Sequence, residues 1–276
     1  MKGKRLKVGL IGYGHAGSIF HAPLIQAESR LELSVVATSR HSRVTHELPG
    51  VRCAPSPADL IKDEGIDVIV VASPNETHRE LALAALDAGK HVVVDKPLAN
   101  SSREAEEMIA AAARAGRTFS VFQNRRWDGD FLTVKSLIEA GSLGCVTYYE
   151  ARFDRHRPQI KVGWREQEKA GSGLLYDLGA HLIDQALNLF GPPESVAADV
   201  EIQRPGALVD DYFRVTLQYG PMRAVLGASM LAPEPGPKFL VRGDGGSFEK
   251  YGLDPQEDAL KAGRRPGGAD WGRDRP

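Results

Sequence analysis

Cysteine is nearly absent: Cys53 and Cys145 are the only two among 276 residues, and no CxxC pair exists. That excludes a disulfide framework and a thiolate zinc site, and it fits a reducing compartment. A charge surplus is missing as well, because 35 Lys and Arg face 36 Asp and Glu for a formal net charge of −1. Nucleic-acid binding by bulk electrostatics needs a basic excess, so this balance argues against it. No apolar run approaches the roughly 18 residues that cross a membrane. The run at 8–11 that follows the basic start breaks at Gly12, short of the about 7–15 apolar residues of a signal peptide. The expectation is a soluble cytoplasmic protein with neither a membrane nor a nucleic-acid partner.

What is present is ordinary globular composition, 42% apolar and 26% charged, which excludes a disordered chain, a collagen and a coiled coil. At roughly 100–200 residues per domain the length suggests one large or two modest domains. Short β-branched runs at 6–11, 33–38, 66–72, 91–95 and 118–122 alternate with helical stretches, of which 77–87 and 103–114 are the plainest. In the second helix Ala105, Met108, Ile109 and Ala112 fall at i, i+3, i+4 and i+7. Ser56-Pro57 reads as a helix start, and Gly89 and Gly116 as C-terminal caps. These strands are apolar almost throughout, the mark of a parallel sheet covered on both faces. After residue 122 the pattern changes to long alternating runs at 145–153, 196–203, 212–219 and 222–230, with helices at 131–140 and 174–189. The fold class is therefore α/β: an N-terminal Rossmann domain over 1–122 and a second α+β domain over 123–276, on an open, mainly antiparallel or mixed sheet. One face of that sheet has no helix to cover it and is expected to be too apolar for water, which predicts a homodimer or homotetramer paired sheet to sheet. The Gly-, Arg- and Pro-rich tail after Lys261 is expected to be poorly ordered.

The first chemistry-bearing motif is Gly12-Tyr13-Gly14-His15-Ala16-Gly17, between a strand and a helix. Gly12 serves the tight turn, Gly14 lets backbone approach a pyrophosphate, and Gly17 permits close helix–strand packing. The helix N-terminus then offers N–H groups to the phosphates. An NAD-specific site places Asp or Glu about 20 residues further on, at the end of the second strand. Here that end reads Val35-Val36-Ala37-Thr38-Ser39-Arg40, with no carboxylate. Ser39 and Arg40 supply a hydroxyl and a cation, as a 2′-phosphate requires, with Arg43 one turn on. NADP(H) is the preferred cofactor and NAD(H) the alternative. Arg40 as the mere start of a solvated helix remains the bland reading.

Three more segments follow in order: Ser73-Pro74-Asn75-Glu76-Thr77-His78, Asp95-Lys96-Pro97, and Gly173-Leu174-Leu175-Tyr176-Asp177-Leu178-Gly179-Ala180-His181. With the glycine motif they resemble the glucose–fructose oxidoreductase / inositol dehydrogenase (Gfo/Idh/MocA) family, from about residue 6 to about residue 260. Gly17-Ser18-Ile19-Phe20-His21-Ala22-Pro23-Leu24, Thr38-Ser39-Arg40, Asn124-Arg125-Arg126-Trp127 and Tyr251-Gly252-Leu253-Asp254-Pro255-Gln256-Glu257 are similar to its NADP-dependent scyllo-inositol dehydrogenase branch. Two departures stand out. The family's Glu-Lys-Pro is Asp95-Lys96-Pro97 here, and members usually run past the point that Pro276 marks, ending in a helix that returns to the Rossmann domain.

The resemblance implies an oxidoreductase passing hydride between NADP and a secondary alcohol or ketone of a cyclic polyol or sugar. A sugar or anhydrosugar carbonyl reductase, an NAD-assisted glycosidase and a non-catalytic dinucleotide-sensing regulator are the alternatives on the same fold. It assigns catalysis to Lys96, Asp177 and His181: a histidine base for the hydroxyl proton, a lysine ammonium at the same oxygen, and a carboxylate that orients the ring or binds a neighbouring hydroxyl. On spacing alone, Asp177 and His181 share one helix face and would read as a buried structural pair. Ser73, Asn75, His78, Lys96, Trp164 and Arg165 are implied at the cofactor, although residues 73–78 also fit a capping loop with Thr77 as cap. Asp154, His156 and Arg157 either bind substrate hydroxyls or form a solvated loop. His15, His21, His41, His46 and His91 are read as structural or surface residues, and no third ligand supports a metal.

Overall fold

The computed structural model describes residues 4–161, 163, 166–268 and 270–273, which form two compact units. One extends to Phe122 and takes in Pro255–Trp271; the other holds Gln123–Asp254. Residues 255–271 thus group with the first unit, away from the segment that precedes them in the chain.

The first unit is a six-stranded parallel sheet of β1 (Leu6–Ile11), β2 (Leu31–Ala37), β3 (Arg52–Ala54), β4 (Val68–Val71), β5 (His91–Asp95) and β6 (Phe119–Phe122), in the order β3-β2-β1-β4-β5-β6. Its helices are α1 (Ala22–Ala27), entered through a π turn at Gly17–His21, α2 (His41–Glu47), α3 (Pro57–Lys62), α4 (His78–Asp87) and α5 (Ser102–Ala115). Successive side chains of a strand point to opposite faces. Val8 and Leu10 accordingly join Ile25 and Val44 in one core, while Val35 and Ala37 join Leu60 and Met108 in another. Ser56 Oγ accepts the Asp59 N–H, Ser101 Oγ accepts the Glu104 N–H, and Gly116 closes α5 at φ +60°. The strand order reverses between β1 and β4, and the crevice beyond the carboxyl ends of strands at such a point is where open α/β sheets bind ligands.

The second unit contains α6 (Gly129–Glu139), β7 (Val146–Arg152), α7 (Ala180–Phe190), entered through a π turn at Leu175–Gly179, and β8 (Ser195–Glu201). The sheet is completed by β9 (Tyr212–Tyr219), β10 (Met222–Ser229), β11 (Phe239–Gly243) and β12 (Ser247–Lys250), in the order β12-β11-β7-β10-β9-β8. It is mixed: β7 and β10 run parallel and the other neighbours antiparallel. Phe131, Val134, Leu178 and Leu182 pack on the inward side chains Tyr149, Phe213, Val215 and Phe239.

Two expectations need correction. The outward face of this sheet is not an apolar surface. Tyr148, Glu150 and Arg152 stand on it joined by hydrogen bonds, and Arg242 lies 5.5 Å over the Tyr148 ring. Alternation along a strand leaves every second position to solvent, and here those positions carry polar groups with long apolar stems. The described tail after Lys261 holds no helix or strand, but it is not without anchorage. The last helix, α8 (Gln256–Lys261), packs in the first unit, and from the tail the Trp271 indole donates to Gln256 Oε1 at 2.7 Å. A single aromatic ring with a donor can anchor a segment that has no hydrophobic period.

Candidate active site

In the glycine motif, Gly12 has φ +96°, and a Cβ there would lie 2.4 Å from the Ala72 carbonyl oxygen at the end of β4. A Cβ at Gly17 would lie 2.1 Å from the Gly12 carbonyl oxygen. Both glycines are therefore demanded by the protein's own packing. Gly14 is different: a Cβ there would meet nothing within 4 Å. Glycine at 14 leaves open space above the backbone, at the switch point of the sheet, which fits a pyrophosphate approaching the chain.

Beyond β2, the Arg40 N–H is donated to Thr38 Oγ1 at 3.2 Å, and the exposed Arg40 guanidinium makes no ion pair among the described residues. Ser39 is exposed beside it. Arg43 is committed elsewhere, at 2.7 Å from Glu47 Oε1 and 5.4 Å over the Tyr13 ring. Burial and the hydrogen bond to Glu47 push the Tyr13 hydroxyl up to about 12.

The loops after β4 and β5 carry the next group. Thr77 holds the N-cap position of α4, but its hydroxyl caps no helix N–H and donates to the Pro74 carbonyl at 2.8 Å. Ser73 pairs with the Thr77 hydroxyl, and buried Asn75 offers its carbonyl to Asn100. His78 is 1% exposed, with Nδ1 2.9 Å from the Pro97 carbonyl and Nε2 3.0 Å from the Ser73 carbonyl. Both ring nitrogens are thereby occupied by main chain. Lys96 follows the C-terminal end of β5, and its N–H is donated to Asp95 Oδ1 at 2.8 Å.

In the second unit Asp177 lies on the π turn that leads into α7, and His181 is buried in the first turn of α7. A π turn is wider than the α turn that the spacing assumed. Arg155 lies 3.8 Å from the Asp177 carboxylate. Asp177, Arg155, Arg157, Arg204, Asp210 and Met230 line a cavity of about 230 Å³. Arg204 is held in place by Asp211 at 2.8 Å and Glu166 at 2.7 Å. Asp154 is outside this lining, 2% exposed at its side chain, where it accepts from Arg152 Nε and the Ser229 N–H. His156 bridges to Leu231 on the strand edge. Trp164 and Arg165 lie outside the described residues. A larger hollow of about 550 Å³ opens by Lys7, Leu33 and Arg52. It sits at the N-terminal ends of the strands, away from every residue named above.

One cluster escaped the sequence because its members are far apart in the chain. Asp128, Asp130, Lys238 and Asp254 are all buried, with Arg125 3.4 Å from Asp128 and the Asp254 carboxylate accepting the Gly129 N–H at 2.7 Å. Burial first, then Asp254 and Asp130, raise the Asp128 carboxyl to about 7 against the pull of Arg125 and Lys238. Burial lowers the Lys238 ammonium to about 8. A carboxyl raised in the fold contributes stability below its unfolded value, and that stability is lost as pH rises through about 7. Asp128→Asn should therefore gain on the parent by a few kcal/mol between pH 4 and 8, at about 1.4 kcal/mol per tenfold change in proton affinity. Thermal unfolding midpoints of both proteins across that range measure the difference. A constant difference would remove Asp128 as the titrating group.

The profile described as an oxidoreductase family with an NAD-binding Rossmann fold matches residues 6–123. The GFO/IDH/MocA C-terminal domain matches residues 131–249. The oxidoreductase YdgJ of Escherichia coli, itself uncharacterized, is 50% identical over 98% of this chain and 78% of its own length. The scyllo-inositol 2-dehydrogenase (NADP(+)) IolW of Bacillus subtilis is 42% identical over 100% of this chain and 78% of its own. Among solved structures, the yvaA protein of Bacillus subtilis superposes with a TM-score of 0.95 at 41% identity, covering 99% of this chain and 78% of that one.

Proposed function

The chain belongs to the Gfo/Idh/MocA family of NAD(P)-dependent oxidoreductases, and from that premise we propose that it oxidises a secondary hydroxyl of a cyclic polyol with NADP, scyllo-inositol first among substrates. The observation that supports the cofactor is the open backbone at Gly14 together with the uncommitted guanidinium of Arg40 after β2. The substrate class rests on the likeness to IolW across the whole chain.

NADP, when bound, accepts the hydride from the carbinol carbon. His181 takes the hydroxyl proton as general base, a task that suits imidazole because its ordinary pKa of about 6.5 lies near working pH. The Lys96 ammonium stabilises alkoxide character at that oxygen. Asp177, balanced by Arg155, holds a neighbouring hydroxyl or the ring. The products are ketone, NADPH and one proton. A panel of scyllo-inositol, myo-inositol and aldoses followed by NADPH absorbance tests the reading. Turnover confined to sugars would favour the sugar carbonyl reductase alternative, and cofactor binding with no turnover would overturn both.

Cofactor choice gives a separate result. Losing one charge-assisted phosphate contact costs about 1.5–3 kcal/mol, or roughly 10- to 150-fold in affinity. Arg40→Ala should weaken NADP binding by that factor and spare NAD, read by fluorescence titration of both. Equal affinities in the parent would refute the preference.

We also propose a homodimer or homotetramer. All seven residues of the edge strand β8 are exposed, Val196 at 61% and Val200 at 39%, with Ile202 and Leu208 beyond. An unpaired apolar edge invites a second copy. Light scattering at micromolar concentration should give at least twice 29.9 kDa, and the monomer mass would refute pairing.

A further inference from the structure

Two buried imidazoles flank the turn that carries Lys96. His21, at the end of the π turn and 3% exposed, stacks on Phe122 with ring centroids 4.2 Å apart. Its Nε2 has no hydrogen-bond partner among the described residues and faces Asp95 Oδ2 at 3.7 Å. The other Asp95 oxygen accepts the Lys96 N–H. From the opposite side, the first residue of α4, His78, reaches the Pro97 carbonyl with Nδ1 and the Ser73 carbonyl with Nε2. Both partners only accept, and an imidazole in one tautomer has a single N–H, so the tautomer decides which of the two contacts is the donated bond.

We infer that His21 and His78 are the positioning residues of Lys96, one acting through the carboxylate before it and the other through the carbonyl after it. The parallel ladder ends at Asp95, opposite Phe122, so the sheet holds the chain no further. Beyond that point the Asp95 bond holds the lysine's main chain on one side and the His78 contact with the Pro97 carbonyl on the other. Burial alone would raise the Asp95 carboxyl, but His21, the Lys96 ammonium and the Lys96 N–H hold it below the usual carboxylate range. The acceptor therefore stays charged and keeps its hold on the Lys96 amide. The role rests on the catalytic assignment of Lys96 proposed above. Placement errors of about 1 Å at a catalytic group cost on the order of 10²-fold in rate.

Amide side chains separate this role from plain packing, because Gln reproduces the reach of Nε2 and Asn that of Nδ1. His21→Gln keeps a donor towards Asp95, and His78→Asn keeps the one towards Pro97. His21→Gln should hold kcat within about threefold of the parent, and His78→Asn should lose less kcat than His78→Gln. His21→Asn and His78→Gln should lower kcat by about 10- to 100-fold, with both unfolding midpoints, and the NADP dissociation constant of His21→Asn, close to the parent's. Hydrogen–deuterium exchange should rise at the Lys96 amide in His21→Asn and not elsewhere in the sheet. Equal losses from both members of each pair, or unchanged exchange at Lys96, would overturn the proposal. If His21→Asn does not fold, His78→Gln against His78→Asn decides alone. Lys96→Ala keeps the two failures apart. Parental turnover in that variant defeats the catalytic assignment, whereas the exchange result tests the positioning without reference to turnover.

Discussion

His181→Ala should lower polyol turnover by about 10²- to 10⁴-fold, the usual worth of a general base. NADP affinity should stay close to the parent's, since the residues proposed to hold the dinucleotide, Gly12, Gly14, Gly17 and Arg40, belong to the first unit and His181 to the second. In alcohol oxidation the base must be deprotonated, so the parent's rate should rise with pH, and that rise should flatten in the variant. Lys96→Ala should also remove most turnover. The double variant should be little worse than the worse single one, because groups acting as a unit are not additive. Asp177→Asn should be milder, because a carboxylate that orients the ring or a neighbouring hydroxyl does not itself take the proton. Retention of more than about a tenth of the parental rate in His181→Ala, with a normal pH profile, would move the base to Lys96.

How far the sequence could lead depended on whether a feature was local. The glycine motif, the caps at Ser56 and Gly116, and the parallel strands up to Phe122 were legible, because each is governed by neighbours a few residues away. The three-residue β3 and the hairpin of β11 and β12 were not, being too short or too interrupted by glycine for a period to register. The spacing of Asp177 and His181 located the helix but not its π turn. The i, i+4 rule presumes α geometry, and no residue signals the extra member of the turn. Asp154 shows the same limit. Its sequence position fitted either a ligand for hydroxyls or a solvated loop, while Arg152 Nε two residues away and the distant Ser229 N–H already occupy its carboxylate. His78 differs in kind: the resemblance implied it at the cofactor, and its two contacts join the loops that follow β4 and β5.

The largest binding effect is expected at Gly14, where fold and ligand make opposite demands. A side chain there would enter space that no protein atom occupies within 4 Å. Its backbone is not in the left-handed region that would strain a larger residue. Gly14→Val should therefore fold with a stability within about 0.5 kcal/mol of the parent, as for other surface changes. The same methyl groups stand where backbone must meet a pyrophosphate, so NADP affinity should fall by more than about 100-fold, equivalent to about 2.7 kcal/mol. Gly17→Ala should show the reverse order of effects. Its new methyl would sit 2.1 Å from the Gly12 carbonyl oxygen, where backbone must shift, and overpacking of that kind typically costs about 1–3 kcal/mol or more of stability. Unfolding midpoints and NADPH fluorescence titrations on the two variants separate the cases. If Gly14→Val bound NADPH like the parent, the open space above residue 14 would not be the pyrophosphate site. If it unfolded as readily as Gly17→Ala, glycine at 14 would serve the fold after all.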